Sequence, residues 1–155
     1  MNRFLIFLLL AAVGCKKSSA PTGPSFRFKA NGVEYLLNDK GAYFDIGLDG
    51  ARGCHIYGAN GQPSDLPSFI AVFTTDSVLQ EKTYYAAGDP INLGATCRLP
   101  PNAATYTISN SDTTNVTVTI ITIQDNTASG TFSAHLDPSM TITDGQFERI
   151  PIVKY

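Results

Sequence analysis

From Phe26 to Val153 the chain places apolar residues two apart in short runs and closes nearly every run with a turn pair, and this spacing limits its fold more than any other feature. Residues two apart share one face of a strand, whereas a helix needs apolar residues three and four apart. No stretch after Pro24 sustains the helical spacing. The chain must therefore bury its apolar faces by stacking sheets or closing one.

Phe26-Arg27-Phe28-Lys29-Ala30 alternates apolar and charged residues, Asn31-Gly32 supplies the positive-φ pair of a tight hairpin, and Val33-Glu34-Tyr35-Leu36-Leu37 resumes the alternation. Asn38 to Gly41 turns the chain into a strand from Ala42 to Leu48, and Asp49 to Gly53 turns it again into Cys54 to Gly58. Ser68 to Phe73 is apolar at consecutive positions, which predicts a central strand covered on both faces. Between Leu79 and Asn102, Gly88-Asp89-Pro90 and Pro100-Pro101 restrict the chain to short strands and loops. Ala104 to Ser109 alternates around Tyr106 and Ile108.

Asn115 to Gln124, rich in Val, Ile and Thr, is the longest strand candidate. Val116, Val118 and Ile120 share one face while Ile121 and Ile123 take the other, so a bulge or bend is expected near Ile120. After a turn from Asp125, the run Gly130 to Leu136 points Phe132, Ala134 and Leu136 inward. Met140 to Thr143 and Gln146 to Val153 read as a final pair of strands around the turn Asp144-Gly145. The whole predicts an all-β fold, an antiparallel β-sandwich or open β-barrel of about eight to ten strands.

The amino terminus carries an address. A short polar start with Arg3 precedes an apolar run from Phe4 to Val13, then Gly14 and Cys15, the layout of a signal peptide. The run is shorter than the roughly 20 residues that cross a bilayer. Ala12-Val13-Gly14-Cys15 matches a bacterial lipoprotein processing site, with Ala12 in place of the usual leucine, so Cys15 is the expected lipidated residue. Residues 1–14 are then the signal peptide, residues 15–24 the lipidated cysteine and a Ser-, Pro- and Gly-rich tether, and residues 25–155 a single β-domain.

With Arg3 removed, ten basic residues face thirteen acidic ones. No cluster of Lys or Arg with interleaved aromatics follows the tether, so a nucleic-acid partner is not expected. An exported chain can form disulfides, and with Cys15 given to lipid, Cys54 and Cys97 remain and are expected to pair. On chain-entropy grounds that bond would contribute about 4 kcal/mol. His55 beside Cys54 does not complete a zinc spacing, and neither a metal nor any other cofactor is expected.

The short lipoprotein signal, the opening Phe26-Arg27-Phe28-Lys29-Ala30-Asn31-Gly32-Val33, the late Gly130-Thr131-Phe132-Ser133-Ala134 and the terminal Ile142-Thr143-Asp144-Gly145-Gln146-Phe147 together resemble small lipoproteins of Bacteroidota. That resemblance implies a compartment and a β fold, and brings no assigned catalytic residues. Surface-exported lipoproteins of the phylum commonly carry acidic residues after the cysteine, whereas Lys16-Lys17-Ser18-Ser19 stands here. The implied location is the cell envelope, on the periplasmic face of the outer membrane rather than the cell surface. Asp76-Ser77-Val78 and Asp112-Thr113-Thr114 are similar to the phylum's O-glycosylation pattern, so Ser77 and Thr113 are either modified or ordinary loop residues.

A nucleophile needs an activating base, and His55 and His135 are the only histidines. His135 shares its face with Thr131 and Ser133 and is read as solvent-facing; His55 is read as a packed or surface ring. Glu34, Asp45, Asp49 and Asp65 are available to a carboxylate pair, but most acidic residues stand in turns, where they bond the local backbone. The chain therefore reads as no enzyme. Tyr57, Tyr84, Tyr85 and Tyr106 could form a platform for a glycan or peptide, or fill the core of a chain that lacks Trp. The sequence points to a monomeric, membrane-anchored module that binds an envelope protein or glycan without catalysis. The alternatives are a periplasmic inhibitor or immunity lipoprotein and a carboxylate-dependent glycan hydrolase.

Overall fold

A computed structural model describes residues 23–46, 52–61, 66–75, 79–87, 93–100, 104–108, 114–137 and 139–154. The first hairpin forms as its sequence dictates. Strand β1 (Ser25–Ala30) and strand β2 (Val33–Leu37) flank Asn31 and Gly32, both at positive φ. The chain continues through β3 (Asp39–Ile46), β4 (Arg52–Ala59), β5 (Ser68–Thr75), β6 (Thr83–Ala87), β7 (Leu93–Leu99) and β8 (Ala104–Thr107). It closes with β9 (Asn115–Gln124), β10 (Thr127–Leu136) and β11 (Met140–Lys154).

The eleven strands form two sheets, one ordered β6-β9-β10-β11-β1-β2 and the other β11-β3-β4-β5-β7-β8. The fold is all-β and a β-sandwich, with eleven strands among the described residues, one more than the upper expectation. Pairing is antiparallel except where the end of β11 runs parallel to β3, Ile152 lying opposite Ala42. β11 thus belongs to both sheets, passing from its place between β10 and β1 to the side of β3. At the other end of the sandwich, Thr107 and Asp137 exchange backbone hydrogen bonds of 3.0 and 2.9 Å, tying β8 to the residue after β10.

The interior is built on phenylalanine. Phe69 of the second sheet stacks on Phe132 of the first with ring centroids 4.5 Å apart. Phe26 lies 5.0 Å from Phe132, and Phe28 lies 5.9 Å from Phe69. Phe147 completes the group, and Val116, Val118, Ile120, Leu136 and Ile142 extend it along the first sheet. Each fully buried side chain of this size contributes about 1.5–3 kcal/mol.

Three irregularities fit the strands to this core. The β9–β10 register shifts between Ser129 and Gly130, leaving Ile121 57% exposed while Val116, Val118 and Ile120 stay buried. This is the bulge expected near Ile120. The final pair of strands is not found: Met140 to Lys154 is one strand, and Asp144-Gly145 is a bulge within it. An Asp-Gly pair offers positive φ to a hairpin or to a bulge alike. Here strands on both sides, β1 and β10, hold β11 in line, and Asp144 takes φ 52°. A second shift, between Ala128 and Gly130, accompanies Arg149 at φ 48°. Strand β5 is central to its sheet as expected, but only one face is fully covered. Phe69 and Ala71 are buried, and Ile70 and Val72 on the other face are half-buried.

The expected disulfide is also corrected. Cys54 and Cys97 are both buried and are not bonded to each other. β5 separates their strands, and Cys54 lies opposite Phe73 while Cys97 lies opposite Phe69. Two strand spacings of about 4.8 Å and an offset of about 13 Å along β5 put the α-carbons about 16 Å apart. A disulfide spans at most about 7 Å. Burial pushes the Cys97 thiol up to about 12, away from the reactive thiolate. A thiol reagent at pH 8 is accordingly expected to label neither cysteine in the native chain and both after unfolding in urea, as read by mass spectrometry.

The packing makes a second measurable claim. A β-carbon on Gly130 would meet the carbonyl oxygen of Thr119 and come within 2.5 Å of the Phe147 ring. Gly130→Ala is expected to cost about 1–3 kcal/mol by overpacking, and Phe132→Ala about 3–5 kcal/mol by opening a cavity. Thr131→Ala, between them and exposed, should stay within about 0.5 kcal/mol. Urea unfolding midpoints test all three.

Candidate functional site

The alternation in β1 sends Phe26, Phe28 and Ala30 into the core and leaves Arg27 and Lys29 on the outer face of the first sheet. Gln146 of β11 lies directly opposite Arg27, and Glu34 of β2 lies opposite Lys29. Arg27 donates to the Gln146 side-chain oxygen from both Nε, at 3.2 Å, and Nη2, at 2.6 Å. Lys29 Nζ donates to Asp144 Oδ2 at 2.8 Å in an exposed ion pair. These residues and Phe28 line a shallow cleft of about 240 Å³.

A hydrogen bond from Lys29 to Asp144 and then the charge of Asp144 raise the lysine's pKa above its usual value; desolvation opposes them, and the charge of Glu34 adds to the rise. A raised lysine stabilises the fold below the unfolded-state pKa and loses that contribution as pH rises through the folded-state value. Both cations of the cleft are thus held by partners on β11. The arrangement fixes a guanidinium, an ammonium, an amide and two carboxylates on one surface, a set of donors and acceptors suited to paired hydroxyls. Among the described residues no Ser, Cys or His lines the cleft, so no hydroxyl, thiol or imidazole nucleophile is placed there.

The four tyrosines singled out in the sequence are not brought together. Tyr84 is buried on β6, with its hydroxyl at 3.1 Å accepting from the Gln80 backbone N–H and Lys82 Nζ 4.9 Å from the ring centre. Tyr85, its neighbour, points outward and is 65% exposed. Tyr57 lies on the outer face of the second sheet, opposite Ile70. Tyr106 lies opposite Cys97 and packs against the core. Adjacent or oppositely phased positions on strands cannot share a face.

His135 is half-buried on the outer face, its Nδ1 3.2 Å from Thr141 Oγ1, and His55 is half-buried on the outer face of β4. Cys15, Ser77, Thr113, Asp49 and Asp65 lie outside the described residues, as does the side chain of Asp45. Among the described residues no three His, Cys, Asp or Glu side chains gather as metal ligands. The cleft itself escaped the sequence. Alternation placed Arg27 and Lys29 on one outward face, but Gln146 and Asp144 stand 119 and 115 residues away.

Compared with protein-family models, with curated proteins and with solved structures, the chain matches none.

The ion pair has a direct spectroscopic consequence. Asp144→Asn is expected to lower the Lys29 pKa back toward its usual value, because hydrogen-bonded charge is lost while Glu34 alone remains nearby. An NMR titration of the Lys29 side chain that gave the same midpoint in both proteins would contradict this.

Proposed function

We propose that the chain is a lipid-anchored binding module of the bacterial cell envelope, acting through the cleft between β1, β2 and β11. The observation that carries the binding role is the paired restraint of Arg27 by Gln146 and Lys29 by Asp144 on an open surface. Side chains already held in place lose less freedom when a ligand arrives. The anchor rests on the sequence, where Cys15 follows an apolar leader with small residues before it. One acyl chain binds membranes marginally, whereas several make attachment lasting. Lys16 and Lys17 after the cysteine favour the periplasmic face of the outer membrane over the cell surface.

The ligand is another envelope component, a glycan or a protein, held without chemical turnover. Loops and outer faces on a rigid β scaffold are where such recognition is commonly placed. Ser77 and Thr113 are proposed as O-glycosylation positions.

Two measurements test this reading. A fatty-acid probe is expected to label the wild-type chain and leave Cys15→Ser unlabelled. Capture from envelope extract by the full chain is expected to fall about tenfold in Arg27→Ala, the loss that follows from removing one anchor worth about 1.4 kcal/mol. Hydrolysis of a cell-wall or polysaccharide substrate, abolished by changing one acidic residue, would overturn the non-catalytic role.

A further inference from the structure

We propose that the cleft is one end of a longer strip on the outer face of the first sheet, and that the strip takes a linear, uncharged polysaccharide lying across the strands; this rests on the binding role proposed above. The strand registers set the strip. Thr83 lies opposite Thr119, Thr119 opposite Thr131, Thr131 opposite Gln146, Gln146 opposite Arg27, and Arg27 opposite Leu36. Directly opposed residues share a face, so this row crosses all six strands of the sheet without a break. At about 4.8 Å per strand spacing it runs for about 24 Å, long enough for several sugar units.

The row is prepared for hydroxyls. Thr83 Oγ1 and Thr119 Oγ1 are 3.0 Å apart and hydrogen-bonded. Threonine is stiff at χ1, so its hydroxyl is held with little freedom left to lose. A second, shorter row lies beside it, in which Tyr85 is opposite Thr117 and Thr117 opposite Ser133. Tyr85 stands on β6, at the edge of the sheet farthest from the cleft, with 65% of its surface open. A tyrosine ring offers a flat apolar face and a polar tip, the shape on which the C–H face of a sugar ring stacks.

Charge selects the ligand class. In the cleft Arg27 and Lys29 are balanced by Glu34 and Asp144, and the rows from Tyr85 to Gln146 carry hydroxyls and one amide with no ionised side chain. A polyanion would need an excess of basic groups. A protein partner would need an apolar centre with a polar rim, and within the rows the apolar residues, Leu36 and Tyr85, stand at the two ends, with Ile121 exposed singly two residues along β9 from Thr119. An uncharged chain of hydroxyls is the complement of this surface.

The experiment is calorimetric titration of the full chain with cellohexaose, xylohexaose, mannohexaose and chitohexaose, and with the matching disaccharides. At least one hexasaccharide is expected to bind, and its disaccharide about tenfold or more weakly, since each hydroxyl contact is individually small. Tyr85→Ala and Thr131→Lys are each expected to lower hexasaccharide affinity about tenfold with the unfolding midpoint unchanged, both side chains being exposed. Equal affinity for long and short sugars, or indifference to both substitutions while Arg27→Ala still abolishes binding, would overturn the strip and leave the binding role of the cleft standing. Binding of no hexasaccharide, with a protein captured instead in an Arg27-dependent manner, would overturn the ligand class alone. Absence of any Arg27-dependent capture would defeat the binding role itself and the strip with it.

Discussion

Phe132 stacked on Phe69 is the contact on which the architecture turns, because it is where the two sheets meet and it fixes which face of every strand points inward. A strand alternates its side chains, so once Phe132 is committed to the interior, Thr131 and Ser133 are committed to the surface. The same parity passes through the register to β9 and β11. Phe26 and Phe28 carry it into β1 and leave Arg27 and Lys29 outside. The outer face, with the polar rows on it, is thus a consequence of the core.

β11 makes that order possible while serving two sheets. A strand passing from the middle of one sheet to the edge of the next must bend, and bulges are how antiparallel strands bend. β11 has two, at Asp144 and Arg149, each with a non-glycine residue at positive φ. The second faces the shift in β9 across Gly130, whose lack of a side chain lets Phe147 and the backbone of β9 close around it. Conformations this uncommon cost of order 1–3 kcal/mol each and persist where the surroundings determine them. Here the surroundings are two flanking strands and an aromatic core.

Much of this was legible in the sequence wherever the determining contacts are local. Asn31-Gly32 named its own hairpin, and the phase slip after Ile120 named its own bulge, because both depend on neighbours along the chain. Asp144-Gly145 did not, since the same dipeptide serves a hairpin and a bulge, and the difference lies in the flanking strands, of which β1 is more than a hundred residues away. The cysteine pairing failed for a related reason: two buried thiols on one sheet can bond only if register brings them together, and register across β5 is invisible in composition. The tyrosine platform failed on parity that the sequence did contain, as Tyr84 and Tyr85 are adjacent and must face opposite ways. Arg27 and Lys29 were visible as an outward pair, but what fixes them comes from the far end of the chain.

The bulge at Asp144 connects the core to the cleft. A regular β11 would set a single outward residue against Lys29, whereas the bulge sets Thr143 and Asp144 there together, both exposed. Asp144 thereby reaches Lys29 without displacing Gln146 from Arg27. The residue that follows must turn inward at a point where Phe132 already fills the space, and a β-carbon there would come within 2.6 Å of its ring. Glycine at position 145 resolves the conflict. The same two residues that supply the cleft with one of its carboxylates leave room for the phenylalanine that joins the sheets, so the surface chemistry and the packing beneath it are set by one local departure from regular pairing.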